Sequence, residues 1–176
     1  MGSGLAHYPR SPLSGRFYRI IYRQHRADLL NGVLSPEGRF HHDNQPALYM
    51  SSRPDWACHA VQRYVRPDDP ERVICSIDVS NAAVLDLRNA EHCAAWSVDP
   101  ALATVPWLNE RARGDAATAW RVSDAVRAQG MIYTARSEPT RWHVVLFNWS
   151  GPSGARLSTG TETLPYSCAQ TFSVSR

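Results

Sequence analysis

Residues 36–52, PEGRFHHDNQPALYMSS, constrain this chain more than any other stretch, because they compress an arginine, two histidines, a polar turn and an apolar run into one short segment. A strand that only packs needs no such density of functional groups. The segment reads as a loop that feeds a strand. Gly38 lets the chain bend, Asp43-Asn44 is turn chemistry, and Pro46 opens an extended run because its fixed φ suits the first residue of a strand. Ala47-Leu48-Tyr49-Met50 then reads as a short buried strand. That layout brings Arg39, on the loop, near Tyr49, on the strand. An arginine fork suits a phosphate or pyrophosphate, and a tyrosine ring offers a flat face to a heterocycle. A solvated arginine and a core tyrosine satisfy the same pattern, so the residues alone leave both readings open.

A chain of 176 residues is most economically one domain with a single sizeable core. No apolar run approaches the length of a membrane span, and the amino terminus has no basic-then-apolar signal pattern, so a cytoplasmic location with no membrane contact is expected. The formal net charge is +3 and every basic side chain is arginine. Scattered arginines do not make a nucleic-acid-binding stripe, and no direct nucleic-acid partner is expected. A GC-rich genome explains the missing lysines; an enzyme that modifies lysines and spares itself would show the same composition. Cys58, Cys75, Cys93 and Cys168 lack CxxC spacing and read as buried thiols. His41, His42, Cys58, His59, His92 and Cys93 match no metal-ligand spacing, so no metal is expected. GxSxG, P-loop and GxGxxG motifs are all absent.

Taken in order, residues 1–16 form a Pro-, Gly- and Ser-rich N-terminal extension expected to run over the surface. Arg16 to Tyr22 has the β-branched and aromatic content of a strand. Ala27 to Gly32 reads as a helical turn closed by glycine. Ser52 offers a cap and Pro54 a first turn for a helix in which Trp56, Ala57, Ala60, Val61, Tyr64 and Val65 keep helical spacing to about Arg66. Arg72 to Val79 alternates with period two, placing Val73, Cys75, Ile77 and Val79 on one face, and Ala83 to Leu87 reads as a second short strand. Arg88 to Ala117 is an irregular segment with short helices. Thr118 to Gln129 predicts an amphipathic helix capped by Thr118 and stopped by Gly130. Ile132-Tyr133 and Trp142 to Trp149 are strand-like around a turn at Glu138-Pro139, and alternation puts one of Trp142 and His143 in the core and the other on the surface. Residues 151–176 form a polar C-terminal tail without a core of its own. The order is α+β, with one domain over residues 17–150.

Gly38-Arg39-Phe40-His41, a short turn and Pro46-Ala47-Leu48-Tyr49-Met50-Ser51 resemble the first signature block of the RES-domain family, named for its arginine, glutamate and serine. Phe17-Tyr18-Arg19-Ile20 is similar to the family's opening strand, and Gly130 to Arg136 with Trp142 to Phe147 to its closing strand pair. The resemblance implies an ADP-ribosyltransferase-like split β-sheet core with flanking helices. It implies the toxin half of a bacterial toxin-antitoxin pair that consumes NAD+ as co-substrate, passing ADP-ribose to a protein, to water or to phosphate. The implied partner is a cognate antitoxin, a helical, Xre-like DNA-binding protein.

Cleaving the nicotinamide-ribose bond leaves positive charge on the sugar. An enzyme must hold the pyrophosphate, fix the ring and stabilise the ribose cation. Carried over, Arg39 would clamp a phosphate oxygen and Tyr49 would stack on the nicotinamide or its ribose. Arg19 would reach the cleft, with His41, Ser51 and Tyr133 also binding the nucleotide. The family's glutamate falls at or next to Ala60 and its serine at Ala135, where only the neighbouring Thr134 supplies a hydroxyl. Three readings follow: His59 or Gln62 substitutes by hydrogen-bonding a ribose hydroxyl, with His59 then catalytic beside Arg39 and Tyr49; the site binds nucleotide or a protein partner without turnover; or the register differs by a few residues.

Overall fold

The structure is a computed structural model and describes residues 8–166. Its elements are β1 (Ser11–Tyr22), β2 (Leu48–Ser51), α1 (Pro54–Val61), β3 (Arg72–Asp86), α2 (Ala90–Ala95), α3 (Trp107–Ala112), α4 (Trp120–Ala125), β4 (Gly130–Thr134), β5 (Trp142–Leu146) and β6 (Arg156–Pro165). Short 3-10 turns occupy Arg23–Asp28, Gln62–Tyr64 and Pro100–Thr104. The strand order is β1-β2-β5-β4-β3-β6, and β1 also pairs with β3. All strands but β6 therefore close into a barrel, and β6 is added outside it. The α+β class expected from the sequence is the one observed.

Closure rests on β3. The sequence reading divides this stretch into two strands; the structure runs one strand through both. Asn81 adopts a φ of 50°, which lets the extra residue bulge against β1 instead of ending the strand. Its backbone N–H donates to Ser14 Oγ at 2.8 Å. At this length β3 pairs antiparallel with β1 along one edge and, along the other, first with β6 and then in parallel with β4. The split core expected from the resemblance is thus one continuously hydrogen-bonded sheet.

Two termini differ from expectation. β1 starts at Ser11, inside the stretch read as a surface extension. β6 lies inside the stretch read as a polar tail and pairs with β3 from Val73 to Ser80. Cys168 lies outside the described residues.

Alternation sorts side chains to the two faces. Phe17, Leu48, Met50, Cys75, Ile77, Ile132, Val144 and Leu146 fill the barrel interior. The outer face of β2, β5 and β4 turns Tyr49, Val145, Met131 and Tyr133 toward a second core with Phe40, Leu85, Trp96 and Val122. Fully burying one such large apolar side chain stabilises by about 1.5–3 kcal/mol, so both faces hold the sheet in place. Cys58, Cys75 and Cys93 are buried, as expected.

The helices are shorter than their patterns. The N-cap of α1 is Arg53, not Ser52, and Pro54 opens the helix without a side-chain cap. α4 covers only Trp120–Ala125 and lacks a side-chain cap. Thr118 cannot supply one because the buried carboxylate of Glu110 engages both its backbone N–H, at 2.9 Å, and its hydroxyl.

Candidate functional site

The loop that carries Arg39 is tied down residue by residue. Asp43 and Asn44 take φ values of 50° and 59°, and Gln45 N–H donates to His42 O at 2.9 Å, so the expected turn forms with both central residues left-handed. Gly38 is required for close approach: a Cβ there would lie 2.4 Å from His41 Cε1. Trp120 Nε1–H donates to the Gly38 carbonyl at 2.8 Å, and Arg111 forks onto Glu37 with both contacts at 3.0 Å. His42 stacks on Trp120 at 4.7 Å and bridges Asp43 at 2.7 Å and Asp124 at 2.9 Å.

Beneath the loop, one proton arrangement satisfies a buried chain of hydrogen bonds. Phe40 N–H donates to Tyr49 Oη at 3.0 Å. His41 Nε2–H donates to the Ser35 carbonyl at 3.1 Å, which leaves Nδ1 to accept from the Tyr49 hydroxyl at 2.9 Å. Burial lowers the His41 pKa and keeps the ring neutral, as this chain requires. Both His41 nitrogens are used internally, so its place is to fix Tyr49. The Tyr49 hydroxyl is likewise engaged, and burial pushes its pKa up.

Arg39 sits over this assembly. Its Nε and Nη2 both donate to the Ala103 carbonyl, at 3.1 and 2.5 Å, and its guanidinium lies 4.9 Å from the Phe40 ring and 5.1 Å from that of Tyr133. Among the described residues it has no carboxylate partner, and Nη1 has no hydrogen bond. Burial lowers its pKa, opposed by Tyr133 and Tyr49 and reinforced by Arg136. A desolvated guanidinium without a counter-ion is a group to which an anion adds stability.

The sheet beside Arg39 carries a row set by register: Ser51 on β2 faces His143 on β5, which faces Tyr133 on β4. Ser51 Oγ and His143 Nδ1 are 2.8 Å apart, and the His143 and Tyr133 rings are 5.5 Å apart. Burial pushes Tyr133 up to about 12. Burial, then Arg39, Arg141 and His59, hold His143 down to about 4.

Alongside runs a cleft of about 340 Å³ lined by Leu87, Arg88, Pro100, Ala103, Thr104, Tyr133, Thr134 and Pro139. Its size falls at the small end of small-molecule sites. Two of its walls, Ala103 and Tyr133, are the groups that Arg39 touches.

Of the sequence-predicted residues, Arg39, Tyr49, Ser51 and Tyr133 come together on one sheet face, with His41 behind them. Arg19 does not join them. It shares the parity of Phe17 and Ile21, and its guanidinium donates to the Leu29 and Gly32 carbonyls at 2.5 Å each. Burial lowers its pKa to about 10. His59, half-buried on α1, bears on His143 through charge, while Ala60 and Gln62 are exposed. Ala135 N–H donates to Arg141 O at 2.7 Å and closes the β4–β5 turn.

Sequence reasoning missed His143 and Tyr64. Against the expectation that one of Trp142 and His143 faces the surface, His143 is buried on the site face and Trp142 packs on the opposite face, 6.1 Å from Phe17. Tyr64 hydrogen-bonds the Trp107 side chain, lies near Tyr49, Tyr133 and Arg39, and is kept neutral because burial raises its pKa. Pairing β5 in register with β2 would have found His143 opposite Ser51.

A family model described as RES domain matches residues 16–168. In the crystal structure of the MbcT-MbcA toxin-antitoxin complex of M. tuberculosis, one chain is similar to this one at 19% identity and a TM-score of 0.55, over 89% of this chain and 86% of that chain. No curated protein matches significantly. At that identity the likeness speaks for the fold, and the family match, which takes in most of the chain, decides membership: this protein is a member of the RES-domain family.

Proposed function

We propose that this chain is the toxin of a toxin-antitoxin pair and consumes NAD+, cleaving the nicotinamide-ribose bond and passing ADP-ribose to a protein, to water or to phosphate. The observation that carries this is Arg39, desolvated, without a carboxylate partner among the described residues, and fixed between Ala103 and Tyr133 beside a cleft of about 340 Å³. Arg39 would bind the pyrophosphate, with Nη1 free to donate. The ring faces of Tyr49 and Tyr133 would orient the nicotinamide end, since the Tyr49 hydroxyl is already committed to His41. Arg136 and Arg141 raise the local positive potential, whereas Arg88 is paired with Asp86 at 2.7 Å.

Family membership supports the toxin role, and the neighbouring complex, itself a toxin with its antitoxin, supports a proteinaceous partner. That partner would be an Xre-like DNA-binding antitoxin, the location cytoplasmic and the core of ADP-ribosyltransferase type. No described helix is long and apolar enough to cross a membrane. Expression without the antitoxin should lower cellular NAD+ and arrest growth, and Arg39→Ala at equal soluble level should relieve both. Unimpaired growth with unchanged NAD+ would count against the toxin.

A second reading has its own observation. By the resemblance, the family's glutamate falls at or next to Ala60 and its serine at Ala135, and neither methyl can perform polar chemistry. A chain that binds the nucleotide, or a protein partner, without turnover would show binding and no nicotinamide release.

A further inference from the structure

The polar row across β2, β5 and β4 leaves one group without a use. Ser51 and His143 are each 3% exposed. Ser51 Oγ occupies Nδ1 of the imidazole at 2.8 Å, and Nε2 has no hydrogen-bond partner among the described residues. Nε2 keeps a trace of solvent access. The ring lies 5.5 Å from Tyr133, which also packs against Phe40 at 4.7 Å and under Arg39 at 5.1 Å and forms part of the cleft wall. Burying a hydroxyl and an imidazole on a face where aliphatic side chains would pack costs free energy unless their polar atoms are used. Ser51 uses one imidazole nitrogen and aims the other.

We propose that His143, oriented by Ser51, hydrogen-bonds a sugar hydroxyl of the nucleotide held by Arg39, the contact that neither Ala60 nor Ala135 can make. This rests on the nucleotide-binding reading above. With Nδ1–H donating to Ser51 Oγ, Nε2 presents its lone pair and accepts the hydroxyl proton in a hydrogen bond. That contact shifts electron density toward the sugar oxygen and favours the positive charge that develops on the ribose as nicotinamide departs. No covalent bond forms to the imidazole. His143 touches the substrate, and Ser51 is a positioning residue. The neutral state required of the ring follows from its burial beside Arg39 and Arg141.

The test is calorimetric binding of NAD+, and of NAD+ analogues lacking the 2′ or the 3′ hydroxyl on the nicotinamide-side ribose, to the wild type and to His143→Asn, His143→Gln and Ser51→Ala. Melting temperatures are recorded for each variant. Asparagine keeps a polar atom for Ser51 and deletes Nε2; glutamine restores a polar atom near Nε2. The wild type should lose on the order of tenfold in affinity for one of the two analogues. His143→Asn should bind NAD+ that much more weakly and no longer distinguish that analogue from NAD+. His143→Gln should recover part of the discrimination, and Ser51→Ala should lose part of it. If the asparagine variant does not fold, the glutamine and Ser51 variants carry the same comparison. Variants that discriminate as the wild type does, with NAD+ still bound, overturn the role of His143 and leave nucleotide binding intact. A wild type that binds none of the three overturns both.

Discussion

At His143, burial and the charges of Arg39, Arg141 and His59 keep the imidazole neutral down to about pH 4, whereas in an unfolded chain it titrates near about 6.5. Between these values the unfolded chain holds the extra proton, so stability falls as pH drops through the window, by up to about 1.4 kcal/mol per pH unit. His41, also lowered by burial, acts in the same direction. His42 acts oppositely. Burial pulls its pKa down, but Asp43 and Asp124 outweigh that and raise it, so its contribution is full below about 6.5 and is lost as pH rises through the folded value. Thermal denaturation from pH 7 to 4.5 should show a falling melting temperature, and His143→Asn should flatten the fall; an unchanged slope would remove His143 as its source. That Arg39 and Tyr49 lie close together was legible in the sequence because loop chemistry and strand start lie within a few residues of each other. His143 was not, because alternation within β5 gives two faces and only its pairing with β2 and β4 says that both are covered. Arg19 was misread for the same reason: parity sends it to the face of Phe17.

The loop between Ser35 and Pro46 behaves as an element although it has no regular structure. Glu37, Gly38, His41 and His42 each bond outward, to Arg111, Trp120, Tyr49 and Asp124. Gly38→Ala would drive a methyl into the His41 ring and displace the imidazole that holds Tyr49. Overpacking of this kind costs about 1–3 kcal/mol. Chemical denaturation should show that loss, and amide exchange at Phe40, whose N–H rests on Tyr49, should accelerate. Wild-type exchange at Phe40 would mean that the ring yields without moving Tyr49. Strand periodicity made every strand but β6 visible beforehand. The continuity of β3 was hidden because one left-handed asparagine in a Ser-Asn-Ala stretch looks like a turn. α4 was overpredicted because helical spacing cannot show that Glu110, in α3, takes the groups of Thr118.

For the whole molecule, barrel closure explains how so small a chain can hold a desolvated cation. Inside, the strands form a continuous apolar core; outside, β2, β5 and β4 form a firm floor on which Tyr49, Ser51, His143 and Tyr133 stand in fixed register below Arg39. β6 lengthens the sheet on β3, away from that floor. On the proposed reading, what the site does with NAD+ depends on whether alanine at the positions matched by resemblance to the family's glutamate and serine leaves it able to stabilise a ribose cation. Nicotinamide release from NAD+ by the purified protein, with and without phosphate and beside Arg39→Ala, decides this. Turnover that falls on the order of a hundredfold in a folded Arg39→Ala is the predicted result. Release that is indifferent to Arg39, or no release and no labelling of any protein in a lysate, would contradict it.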